Sequence, residues 1–287
     1  MAQNSDHRFD PPWNKPPQSS VMFTVPGVDN VPDLFGEIND PQLVIFFAGN
    51  QFMVVDELIN AFKKKYPEYK RVFAETLPPG ILAEQIKGGS ITIGNLKIDL
   101  QPDIYTAGKN MISTMPEWFS MTAAYAKNDL AIMVQKGNPK NIRGLADFGR
   151  ADIRISMPNP LWEGISKQIE SAYVKSGGEK LRSVVMEIKV RDSTTFLTQI
   201  HHRQTPMRIL YNQSDAGPVW FSEAYYQQLI GNPIETIKIP ESENIEATYV
   251  AGILKAAAHK EAAEDFMEFL VSPAARSVYK KFGFKTD

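Results

Sequence analysis

The patterned part of the chain begins with an unbroken apolar run, residues 43–47, made of Leu43, Val44, Ile45, Phe46 and Phe47. A run of β-formers with no polar alternation predicts a strand covered on both faces, as in a parallel sheet. Ala48-Gly49-Asn50-Gln51 ends it. Val54, Leu58, Ala61 and Phe62 then fall on one face at helical spacing. Lys63, Lys64 and Lys65 complement the negative end of that helix, and Pro67 stops it. A strand over 71–74, a tight loop at Pro78-Pro79-Gly80, a helix over 81–86 and a strand over 102–107 continue the alternation. Strand following helix in this way predicts an α/β domain with a mainly parallel sheet.

The second half reads less regularly. Apolar runs predict strands over 130–134, 154–157 and 184–190. An amphipathic helix is expected over 162–174, stopped by Ser176-Gly177-Gly178. Phe196, Leu197 and Ile200 are read as part of another helix, and 207–211 as a short segment before Asp215-Ala216-Gly217. Two short strands lie within 237–254, around Glu241-Ser242-Glu243-Asn244, and helices follow over 261–270 and 273–284. Residues 1–38 read as an extension, because Pro11, Pro12, Pro16 and Pro17 forbid helix; Trp13 suggests a surface tether.

Composition narrows the chemistry. The 287 residues carry 31 Lys+Arg against 33 Asp+Glu, so no basic surplus points to nucleic acid. There is no cysteine, which excludes thiol catalysis, disulfides and thiolate zinc sites. No apolar run reaches the roughly 18 residues that a membrane helix needs. The stretch after Met1-Ala2-Gln3 has neither a basic segment nor an apolar core, and Ala-Gln suits the start of a mature exported chain with Met1 as an added start, a native cytosolic start being the alternative. No H-E-x-x-H, no P-loop and no G-x-G-x-x-G after a strand is present, so an enzyme is not expected.

Four segments, in order, resemble the molybdate-type solute-binding proteins of ABC importers. They are Ile45-Phe-Phe-Ala-Gly-Asn-Gln51 with its helix ending Ala61-Phe62-Lys63-Lys64, and Gly80-Ile-Leu-Ala-Glu-Gln-Ile86 followed by Pro102-Asp103-Ile-Tyr-Thr106. Then come Ser214-Asp-Ala-Gly-Pro-Val-Trp220, and Ile239-Pro240 with Asn244, Ala247 and Tyr249, closing on Ala262 to Phe266, Phe269-Leu270, Ser272-Pro273 and Phe282-Gly-Phe284. The resemblance covers about 41–287. It implies a type II periplasmic-binding fold: α/β, two Rossmann-like lobes with a ligand cleft between them. The implied division is an N-terminal extension over 1–38, a first lobe over 39–125 plus 220–287, and a second lobe over 126–219. The implied function is a monomeric periplasmic or otherwise extracytoplasmic receptor without cofactor or nucleic-acid partner. It would capture an oxyanion of the molybdate, tungstate or sulfate class and deliver it to an ABC permease. A metal ion, a small organic solute or delivery to a membrane sensor are the alternatives.

The pattern also departs from that family. A small hydroxyl residue is expected after the first strand, where Gly49-Asn50-Gln51 stands; a Ser-Gly pair is expected where Pro79-Gly80 stands; a tyrosine is expected at Trp220. Glu75, beside the second loop, would repel an anion.

The candidate ligand contacts follow from the strand ends. Asn50 and Gln51 carry amides that donate and accept, or Asn50 caps the following helix. Thr76, Pro79 and Gly80 form the second loop, with Gly80 open to close approach by a ligand or simply part of a turn. Thr106 and Gly108 follow the third strand. Arg191-Asp192-Ser193-Thr194-Thr195 is read as preceding a helix, so Ser193 and Thr194 cradle an anion or cap the helix. Trp162 and Trp220 wall the cleft or belong to the core. For a metal ion, the candidates are Glu75, Glu163, Asp192 and His201.

Overall fold

The computed structural model describes residues 21–22, 33–93, 96–161, 163–199 and 204–286. The first half holds β1 (Val21–Met22), β2 (Asp33–Gly36), β3 (Leu43–Ala48), α1 (Val55–Lys65), β4 (Val72–Leu77), α2 (Pro79–Gly88), β5 (Ile91–Ile93), β6 (Leu96–Ile98), β7 (Ile104–Gly108) and the single turn α3 (Lys109–Ile112). The long strand β8 (Phe119–Gln135) follows. Then come β9 (Ile155–Met157), α4 (Ile165–Ser183), α5 (Lys189–Arg191), β10 (Thr195–Leu197), α6 (Gln204–Leu210) and β11 (Ala216–Trp220). The chain finishes with α7 (Phe221–Leu229), β12 (Ile234–Lys238), β13 (Glu246–Leu254), α8 (Lys260–Leu270) and α9 (Pro273–Lys281).

All six residues of β3 are buried, as its unbroken apolar run requires. It pairs in parallel with β4 and β7, and β13 joins β7 antiparallel. Successive β3 side chains feed opposite faces. Leu43, Ile45 and Phe47 pack with Phe62, Phe266 and Tyr279 under α1, α8 and α9. Val44 and Phe46 pack with Phe73 and Leu82 under α2. One buried carboxylate ties these layers: Asp103 accepts the backbone N–H groups of Val44 at 2.8 Å and His259 at 2.9 Å, and meets His259 Nδ1 at 2.9 Å.

β8 is the seam of the molecule. Its first part, Phe119 to Asp129, pairs with β13 in the first sheet. Its last part, Leu130 to Val134, pairs with β11, and Ala131 to Gln135 pairs with β12 on the other side. β9 and β10 extend that second sheet beyond β11. A separate core of Leu130, Ile132, Ile155, Ile169 and Tyr173 lies beneath α4. The ladder of strands is therefore continuous, while the apolar interior is divided.

Three expectations change. The return to the first sheet was expected at residue 220, but Ala224 of α7 and Ile234 of β12 pack on the second sheet with Met133 and Val219. Pairing with the first sheet resumes only at Glu246. The region 184–190 is helical and not a strand. Leu181 and Val185 repeat at i, i+4 into the second core, and Lys189, the next in that series, sends Nζ to the carbonyls of Arg150 and Ile153, both at 2.6 Å. Phe196 and Leu197 are strand and not helix, because β10 completes the sheet edge beside β9. Gly177 and Gly178 are both non-helical and break α4 into two helical pieces, as the glycine stop predicts.

Candidate functional site

Where the two sheets meet, a cleft of about 460 Å³ opens. The parallel strands β3, β4 and β7 all end at its edge, as ligand sites in such sheets require. Their loops supply one wall: Gly49 and Asn50, then Pro78, Pro79 and Gly80, then Gly108, Asn110, Met111 and Thr114. Gly49 packs closely on the second loop: a Cβ there would lie 3.1 Å from the Leu77 carbonyl carbon, so any larger residue would push that backbone by a few tenths of an ångström. The other wall comes from Glu163 to Ile165, Lys167 and Gln168 at the start of α4, with Trp220 and Glu223 at the start of α7. Ala247 and Tyr249 of β13 form the floor.

Donors face this space from both sheets. At the start of α2, the Pro78 carbonyl accepts from Ile81 N at 2.9 Å and Leu82 N at 3.1 Å, and Pro79 has no N–H. That leaves the Gly80 N–H as a donor of the first turn without a partner among the described residues. At the start of α4, Ser166 N bonds the Glu163 carbonyl at 3.1 Å. The Gly164 and Ile165 N–H groups have no partner among the described residues. Such ends carry partial positive charge and suit an anion.

The side chains set the local charge. Glu163 is buried and accepts from the Thr198 hydroxyl and, at 3.2 Å, from Asn159 N. Glu223 is also buried and accepts from Trp220 N at 3.4 Å. Lys167 is exposed and has no ion-pair partner among the described residues. Tyr249 accepts from Asn50 Nδ2 and meets the edge of Trp220 at 6.2 Å between centroids. Burial pushes its phenol well above the ordinary value, with hydrogen bonds to Asn50 and Asn128 partly opposing, so it stays neutral.

Of the residues singled out in the sequence, Asn50, Pro79, Gly80, Gly108, Glu163 and Trp220 line this cleft. Gln51 does not. It is fully buried, accepts from the Tyr125 and Tyr279 hydroxyls, both at 2.9 Å, and donates to Thr106 Oγ1 at 3.3 Å. Thr106 is fully buried too, its hydroxyl accepting Ala48 N at 3.1 Å. Thr76 is fully buried under the second loop. Glu75 is enclosed in the first sheet's core, and Gln85 Nε2 donates to it at 3.1 Å.

Asp192 and Ser193 are exposed, Thr194 is half-buried, and none of the three borders the cleft. They follow a helix instead of preceding one, with Ser193 at φ 56°, so they sit at the negative end of its dipole and offer no anion cradle. Trp162 and His201 lie outside the described residues. Glu75, Glu163 and Asp192 stand respectively in the core, in the cleft and on the surface. Among the described residues no group of three His, Asp or Glu side chains could hold a metal ion.

Sequence reasoning missed Asn110, Thr114, Lys167, Gln168 and Glu223, and used Tyr249 only as part of a family segment. The signal for Lys167 and Gln168 was their place in the first turn of a helix whose start faces the sheet edge.

Comparisons with known proteins agree with this fold. The family model described as bacterial extracellular solute-binding protein matches residues 43–285. The molybdate-binding protein ModA of Mycobacterium bovis is 25% identical over 162 residues, 56% of this chain and 55% of that protein. The chain thus spans about half the length of the curated relatives it matches. Among solved structures, the periplasmic molybdate-binding protein of Azotobacter vinelandii superposes with TM-score 0.66 at 17% identity, covering 85% of this chain and 99% of that one. L-Phospholactate-bound PEB3, a protein of Campylobacter jejuni, superposes with TM-score 0.63 at 19% identity, covering 85% and 100%. These structures share the type II periplasmic-binding fold, and the relatives are solute-binding proteins, not enzymes. With a family match running from the first buried strand almost to the last residue, the chain belongs to the bacterial extracellular solute-binding proteins.

Proposed function

We propose that this protein is the extracytoplasmic, monomeric receptor of an ABC-type importer, and that it clamps a small anion between two lobes for delivery to the permease. The lobes are the two sheets with their helices; β8 and the segment between β12 and β13 are the hinge. Asn50, Gly80, Gly108 and Trp220 contact the ligand. The observation that carries the reading is that helix starts from both sheets, α2 and α4, open with unpaired N–H groups onto one cleft. A ligand bound to both favours the closed form, which a permease can distinguish from the open one. The ligands named for the structural relatives, molybdate and L-phospholactate, are both anions.

A thermal-shift panel of molybdate, tungstate, sulfate, phosphate and small carboxylates tests this. A ligand at about 100 times its Kd stabilises the folded state by roughly 2.7 kcal/mol. A melting shift with one class of anion is the expected result; a panel in which no anion shifts the transition would sink the reading.

A further inference from the structure

The anion-receptor reading leaves open which anion, and the cleft walls speak to that. Three observations bear on it, and the inference rests on that reading. The first is charge. Lys167 is the one cation among the described residues lining the cleft, against two carboxylates, Glu163 and Glu223. Both carboxylates are buried and occupied by donors of this chain. With one positive and two negative side chains the lining is net −1; a dianion takes it to −3, whereas a monoanion paired with Lys167 takes it only to −2.

The second is size. A cleft of about 460 Å³ has room for about fifteen water molecules at roughly 30 Å³ each. A bare tetrahedral oxyanion occupies a small part of it. The third is the make-up of the walls. Pro78 and Met111 stand on one side, Ile165 and Trp220 on the other, with Ala247 and Tyr249 between them. Closing such walls on a naked oxyanion strips its whole water shell and returns only the few N–H groups at Gly80, Gly164 and Ile165. Closing them on a hydrocarbon body removes apolar surface from water on both sides.

We infer that the ligand is an organic monoanion, a carboxylate-class head group at Lys167 carrying an apolar body that packs against Met111, Ile165 and Trp220. The cleft is thereby a selective one, rejecting sulfate- and molybdate-like dianions by charge and by unmet solvation.

Isothermal titration of the full chain at pH 7.5 with two sets of probes tests this: molybdate and sulfate on one hand, the straight-chain monocarboxylates from propionate to octanoate on the other. The Kd of the carboxylates should fall about fourfold per added methylene until the cleft is filled. Both dianions should bind at least about a hundredfold more weakly than the best carboxylate. Lys167→Gln should weaken every chain length by a similar factor, about tenfold, and leave the length dependence intact. Met111→Ala, at a partly exposed position, should flatten the length dependence. Sulfate or molybdate binding more tightly than every carboxylate would overturn the inference and leave the receptor reading standing. A Kd independent of chain length would overturn it as well. Binding by neither set overturns the inference, and the phosphate and tungstate arms of the thermal-shift panel then decide whether the anion-receptor reading falls with it.

Discussion

Gln51 and Glu75 show how differently two buried polar residues can serve one fold. Gln51 Oε1 receives the Tyr125 and Tyr279 hydroxyls, tying the end of β3 to β8 and α9. Gln51→Leu keeps the volume but strands both hydroxyls in the core. It should lower the unfolding free energy by about 3 kcal/mol, read as a fall in the urea midpoint; an unchanged midpoint would show that the network contributes nothing. Glu75 is buried in an apolar layer where, among the described residues, only Gln85 Nε2 reaches it and neither its Oε1 nor the Gln85 Oε1 has a partner. Burial pushes its carboxyl up to about 7 from 4.5, with the Gln85 hydrogen bond opposing. Protonation turns Glu75 Oε1 into a donor, and Gln85 Oε1 is the unmet acceptor of the same pair. The folded state therefore holds a proton that the unfolded state releases above 4.5. The contribution to stability is fully present below that value and is lost as pH rises through about 7. Between pH 5 and 8 the native protein should lose up to roughly 3 kcal/mol from this group. Glu75→Gln should remove that slope from unfolding curves taken across the window, and a slope that survives the substitution would refute the assignment. Neither role was legible beforehand. A glutamine or glutamate next to a strand end looks the same in sequence whether it points into a cleft or into a core.

At the scale of elements, local pattern succeeded where one face or both faces of an element are apolar. β3 and the helices α1, α8 and α9 belong to this class. It failed over 184–197, where β-branched residues suggested a strand and the real strand came later. Val185 and Lys189 are helical because i, i+4 spacing brings one into the second core and the other to two carbonyls. Phe196 is extended because the edge beside β9 needs a strand, and Arg208 stacks on its ring at 4.2 Å. Tertiary contacts outweigh propensities that differ by less than about 1 kcal/mol per residue. At the glycine pair in α4 the local signal held, because both residues are non-helical and the helix breaks there. Gly178 has φ 68° and ψ −175°, a conformation that only glycine adopts without strain. Gly178→Ala should destabilise the protein by about 2 kcal/mol, whereas a variant as stable as the native chain in thermal unfolding would mean that α4 straightens there freely.

For the molecule as a whole, the dominant feature is one strand shared by two sheets with separate apolar cores. Separate cores joined by few strands permit relative motion, since hinge closure leaves each interior packed. Addition of a ligand that stabilises the protein should reduce its radius of gyration in solution scattering, with secondary structure unchanged in circular dichroism. A radius that stays constant at saturation would mean that the cleft binds without closing, and the delivery mechanism would have to be different. The sheet that β12 joins was misread for a related reason: its apolar residues fit either core, and only pairing with Ala131–Gln135 decides between them.

The sequence by itself determined the α/β class, the order of the first strands and helices, the loops that follow β3, β4 and β7, and the family. These follow from local periodicity, from turn residues and from motif order, all short-range properties of the chain. Which polar residues of those loops reach the cleft was decided only by the tertiary structure. Asn50 lines it and Gln51, one residue on, is sealed in the core. The same holds for Lys167, for the buried and occupied state of Glu163 and Glu223, and for the apolar wall of Met111, Ile165 and Trp220. Side-chain direction at a strand end depends on the pitch of the following turn and on partners up to 228 positions away, as between Gln51 and Tyr279. No local pattern carries that information, because the selecting contacts exist only once the sheets have formed.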